Sequence, residues 1–223
     1  MKKSYLSIAA AAVLLAFVGT GCSSGSDSTA PVTPEATYTG IFVDAGAAGL
    51  SYACTNGVGV AITGLTDADG KFSGCGVSST VKFSLGNLDL GSMPYPTNGV
   101  FTPTLLAEAS GGTAEEKQVI ANNIASTLLS IDADGNPDNG IQITEANVAT
   151  FNTTVPAGSA ITNPTVAATV AATTQAMAEA PGSTLVAVTP ADAQTHLEII
   201  AEAINAGDFD QPAPVEPAVV TGS

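Results

Sequence analysis

The sequence predicts an α+β fold: a small antiparallel β-sandwich, then a small helical subdomain, with disordered termini. Three observations predict it. Between Tyr38 and about Ser92, short runs of aromatic and β-branched residues alternate with polar ones, punctuated by Asn56-Gly57, Asp69-Gly70 and Gly86-Asn87. That is the pattern of half-buried strands joined by tight turns. From Thr113 to Gly207 the apolar residues instead recur every three or four positions, the period of a helix with one buried face. Residues 23–37 and 208–223 are dominated by small and polar residues and Pro, and such segments bury too little to fold.

The chain begins with Lys2 and Lys3, an apolar run from Ile8 to Val18, and the small-residue exit Gly19-Thr20-Gly21 before Cys22. A charged start, a short apolar stretch and a small-residue exit describe a secretory signal over residues 1–21. The apolar run is shorter than the roughly 20 residues needed to cross a bilayer. Cys22 directly after small residues, with Ser23-Ser24-Gly25-Ser26 beyond it, resembles a bacterial lipoprotein signal. Gly19 departs from that pattern, which usually has an aliphatic residue there. The resemblance implies that Cys22 becomes the acylated first residue of the mature chain and anchors it to a membrane. Ser23, rather than Asp, implies sorting to the outer membrane. Residues 22–37 then form the lipidated cysteine and a flexible tether.

In the 38–92 domain, strands are expected at Tyr38–Val43, Leu50–Cys54, Val58–Ile62 and Val81–Leu85. Residues 93–112 carry Pro94, Pro96, Pro103 and Gly111-Gly112 and read as a linker. Thr113-Ala114-Glu115-Glu116 has the form of a capping box, and Ile120, Ile124, Leu128 and Ile131 follow on one helical face. Thr144 is expected to cap a short second helix through about Phe151, and Pro164 to open a third. Thr189-Pro190, with Asp192 shortly after, opens a fourth that Gly207 ends. The helical subdomain spans 113–207 and the tail 208–223.

Composition excludes whole classes of function. The chain contains no Arg, and Lys2 and Lys3 leave with the signal, so three lysines face twenty acidic residues at a net charge of −17. Nucleic-acid binding depends on basic residues neutralising phosphates, so a nucleic-acid partner is excluded. Such an acidic surface is solvated or gathers divalent cations. With Cys22 lipidated, Cys54 and Cys75 remain as an even pair in an oxidising compartment, where disulfides persist. A two-thiol metal site is the alternative, but His196 is the only histidine in the chain.

The strongest chemical motif is Asp132-Ala133-Asp134-Gly135-Asn136-Pro137-Asp138-Asn139-Gly140. Asp132, Asp134, Asn136 and Asp138 place oxygens at alternate positions directly after a helix, a spacing that suits Ca²⁺. The match to an EF-hand loop then degrades. Pro137 stands where Gly is expected, Ile143 where a bidentate Glu is expected, and Glu145 lies two residues too far on. The alternative is a plain turn built from residues that favour turns. Asp67 and Asp69 read as turn formers. Catalytic constellations are nearly absent: no nucleophile elbow or phosphate loop occurs, and His196 reads as a surface or boundary residue. An enzyme is not expected.

Gly64-Leu65-Thr66-Asp67-Ala68-Asp69-Gly70-Lys71-Phe72 resembles a turn of transthyretin-like (carboxypeptidase-regulatory-like) β-sandwich modules on bacterial surface proteins. Val81–Gly86, Leu88, Leu90-Gly91 and Leu128–Asn136 are similar to segments of a group of proteobacterial cell-surface lipoproteins. The resemblance covers about residues 40–145 and implies location and architecture rather than activity. The expected function is a membrane-anchored, envelope- or surface-exposed lipoprotein that acts by binding, adhesion or envelope assembly, with Ca²⁺ as its one candidate cofactor. Its partner is an unidentified protein or matrix component. The alternative is a self-assembling structural subunit.

Overall fold

The computed structural model describes residues 35–209, 211, 214 and 215. The expected signal, Cys22, residues 22–34 of the tether and most of the 208–223 tail lie outside the described residues.

Among the described residues the chain is a mixed α+β protein with two sheets and five α-helices. The strands are β1 Thr37–Phe42, β2 Ser51–Thr55, β3 Ala61–Leu65, β4 Lys71–Gly76, β5 Thr80–Leu85, β6 Leu88–Pro94, β7 Val100–Phe101 and β8 Ser159–Ala160. The helices are α1 Pro103–Ala109, α2 Ala114–Ser130, α3 Glu145–Asn152, α4 Pro164–Ala178 and α5 Pro190–Asn205. One sheet runs β4-β1-β7 and the other β3-β2-β5-β6-β8. Pairing is antiparallel except for β1 with β7 and β6 with β8, which are parallel. Those two parallel partners are two-residue strands far along the chain from the strands they join, so hairpin chemistry gives no sign of them.

Aromatic rings join the two sheets. Phe83 of β5 lies 4.8 Å from Phe42 of β1, 5.4 Å from Phe72 of β4 and 5.4 Å from Phe101 of β7, between ring centroids. All four side chains are buried. Gly40 of β1 makes room for them, since a Cβ there would stand 2.5 Å from the Phe72 ring. The Cys54–Cys75 disulfide links β2 to β4, and so one sheet to the other, across a Cα–Cα distance of 5.7 Å.

Two expectations need correction. The strand expected at Val58–Ile62 begins at Ala61 instead. Asn56 is the cause: its Oδ1 accepts the N–H groups of Val58 and Val60, and its own N–H donates to Val60 O. That Asx-type turn, with Gly59 at φ +80°, consumes the residues that alternation assigned to a strand. Residues 93–112 are not a linker. They hold the end of β6, all of β7 and all of α1, with Phe101 and Leu106 in the core. Pro103 is the first residue of α1 rather than a breaker, and Thr102 Oγ1 caps it by accepting Leu105 N–H at 3.0 Å.

The other helices begin as their sequence predicts. Thr113 and Glu116 form the reciprocal capping box of α2, and Thr144, Asn163 and Thr189 cap α3, α4 and α5. Strands and helices share one core. Its buried residues include Leu50, Phe83 and Leu88 from the strand region and Ile124, Leu128, Phe151 and Leu197 from the helices. α2 packs against α1, α4 and α5. A smaller cluster holds the far end of α5, where Ile200 meets Ile41, Val43 and Val100. No helix among the described residues is long and apolar enough to cross a membrane.

Candidate functional site

The acidic turn begins where α2 stops. Ile131 ends the helix and is fully buried, which drags the next residue, Asp132, into the interior. Asp132 is closed off on one side: Gln142 N–H donates to its Oδ1 at 2.8 Å, and Ala133 N–H donates back to Gln142 O at 3.0 Å. Residues 141–143 in turn clasp Ala48, whose N–H donates to Ile141 O while Ile143 N–H donates to Ala48 O. The turn is thereby tied to the segment between β1 and β2.

Beyond Asp132 the chain reverses at Gly135. Its φ of +66° belongs to the left-handed region, where a side chain is strained. A Cβ there would also stand 2.7 Å from Val186. Asp134 then takes Asn136 N–H on Oδ1 and the Asn139 side-chain amide on Oδ2. Asn136 Oδ1 accepts Asp138 N–H at 3.4 Å, and Pro137 opens a single 3₁₀ turn through Asn139.

The four residues singled out by spacing thus stand in different environments. Asp132 is fully buried, and Asp134, Asn136 and Asp138 are exposed. The Asp134 carboxylate lies near enough for its charge to act on Asp132. Burial pushes the Asp132 carboxyl above the usual carboxylate range, and the neighbouring Asp134 charge pushes it further. The Asn139 amide and the Asn136 N–H hold Asp134 below that range. Asp132 Oδ2 is buried and has no hydrogen-bond partner. Asp138 contributes its backbone N–H to the turn, and Glu145 is exposed in the first turn of α3. No group of three or more His, Cys, Asp or Glu among the described residues is gathered closely enough to hold a metal ion. Asp67 behaves as a turn former, accepting the N–H groups of Asp69 and Lys71 on Oδ1.

A second buried acidic group escaped sequence reasoning. Asp44 follows β1 and is fully buried, and His196 Nε2 of α5 approaches its Oδ1 to 2.9 Å. The approach has ion-pair distance without hydrogen-bond alignment, and neither atom has another partner. A groove of about 820 Å³ lies beside α5, lined by Asn98, Thr102, Leu105, Leu197, Ile200 and Ile204 among others, none of its lining residues ionisable. It offers contact surface but no acid–base group.

No known protein family, characterised protein or solved structure matches the chain.

Proposed function

We propose that the chain is a lipid-anchored envelope module of the outer membrane that acts by binding rather than by catalysis. The observation that carries this reading is the Cys54–Cys75 disulfide joining the two sheets, since a structural disulfide belongs to an oxidising, extracytoplasmic compartment. The lipoprotein-like signal ending at Cys22 supports the same address. In this reading the two sheets are the halves of a transthyretin-like sandwich, filled by Phe42, Phe72, Phe83 and Phe101. Non-enzymatic action is supported by the engagement of His196, the sole histidine, with buried Asp44, and by the uncharged groove beside α5.

The test uses Cys22→Ser in the full-length chain. Wild type is expected to incorporate labelled fatty acid and fractionate with membranes, and the variant to be released. Membrane retention of the variant overturns the anchor. Added back to cells, the released variant should bind the envelope saturably; linear, non-saturable uptake would overturn the binding role.

Self-assembly is a second reading, favoured by β3. This strand pairs only with β2, so its other edge is open among the described residues. It carries no charge, and Val58, Val60 and Leu65 in and beside it are exposed. Edges of that kind invite strand addition unless charge or Pro protects them. Concentration-dependent oligomers in sedimentation velocity, abolished by Thr63→Lys on the exposed face of β3, would establish it. A monomer at all concentrations would remove it.

A further inference from the structure

We infer that the turn Asp132–Asn136 is a Ca²⁺ site built on two carboxylates, one buried and one exposed, rather than on the whole acidic run. The observation that carries it is Asp132 Oδ2. Asp132 is fully buried, its Oδ1 is already engaged by Gln142 N–H, and Oδ2 has no partner. Asp134, two residues on along the same turn, brings a second carboxylate near enough for its charge to act on Asp132. A buried acceptor left unmade is costly, and two neighbouring carboxylates repel. A hard cation between them relieves both at once. Asn136 Oδ1, held only by the long 3.4 Å bond from Asp138 N–H, supplies a third oxygen on the same turn. Water fills the remaining places of an ion that takes six to eight oxygens.

The exposed carboxylates of Asp138 and Glu145 stand outside this set. With two charged ligands, the affinity belongs to the weak class of extracellular modules, a Kd on the order of 10⁻⁴–10⁻³ M. That range is met outside a cell and not in a cytosol. The site also has a structural consequence. Asp132 anchors residues 141–143, which clasp Ala48, so an ion there stiffens the joint between the end of α2 and the β1–β2 connection.

One experiment tests the site. The full-length chain is stripped with EDTA at pH 7 and melted in 10 mM CaCl₂, against NaCl of equal ionic strength to cancel general screening. A Kd near 1 mM gives a rise of roughly 3–6 °C, and calorimetric titration should show one site. Asp132→Asn, which keeps the Oδ1 acceptor for Gln142, should abolish the rise, and Asp134→Asn should weaken binding at least tenfold. Asp138→Asn should leave it unchanged. If Asp132→Asn does not fold, Asp134→Asn at its exposed position decides alone. No Ca²⁺-specific rise, or a rise undiminished in these two variants, overturns the site.

Discussion

His196 Nε2 lies 2.9 Å from Asp44 Oδ1, with the carboxylate wholly inside the protein and the imidazole only 17% exposed at its side chain. The pair ties α5 to the end of β1 at a point where no other polar group meets either atom.

His196→Ala therefore leaves a buried carboxylate without its partner. Removing one member of a buried pair costs about 3–5 kcal/mol, so the urea midpoint at pH 7 should fall steeply. Replacing both, as Asp44→Asn with His196→Gln, should recover part of that loss. A single variant as stable as wild type would show that the contact contributes nothing.

Burial raises the Asp44 carboxyl above its usual 3.8, and the neighbouring His196 opposes that rise. A carboxyl with a raised folded-state value binds its proton more tightly when folded than when unfolded. Stability is then greatest at low pH and falls as the pH climbs through the raised value. Relative to Asp44→Asn, the wild type should lose stability as the pH climbs above about 4 and through the raised value. Parallel stability curves for the two proteins over that range would refute the assignment.

The disulfide closes a loop with a sequence separation of 21, and the chain-entropy relation gives about 3 kcal/mol for a loop of that length. Cys54→Ala with Cys75→Ala should lower stability by about that amount, and a reducing agent should lower the midpoint of the wild type alone. Free thiols at both positions in the untreated protein, counted by mass spectrometry, would dispose of the cross-link.

Gly40 faces the rings between the sheets, and a methyl group there meets both Phe72 and Phe101 within 3.0 Å. Overpacking of this kind costs about 1–3 kcal/mol, so Gly40→Ala should be destabilised by that much. Phe72→Leu in the same chain should relieve part of it. Additive losses in the double variant would place the strain elsewhere.

What the sequence makes legible is local. Thr113 with Glu116, and Thr189 before Pro190, announce their helices because a cap and its helix are neighbours in the chain. Thr102-Pro103 carries the same signal, yet Pro94 and Pro96 nearby make it look like loop. Asn56 hides the true start of β3 because its side chain converts an alternating stretch into a turn. The acidic turn is visible as composition, but only burial distinguishes Asp132 from Asp138. His196 and Asp44 meet through tertiary packing alone, so no spacing rule could pair them.

The small cluster in which Ile41 and Val43 meet Val100 and Ile200 bears on the order in which this chain can fold. A strand at the front of the chain completes its surroundings only when a helix near the end arrives. Contacts so distant in sequence must close a long loop before they return any stabilisation, which slows folding. A polypeptide emerging from the ribosome therefore stays unfinished for nearly its whole synthesis. On the envelope reading proposed above, that delay is an asset, because the native structure would form only after export, where Cys54 and Cys75 can also be joined.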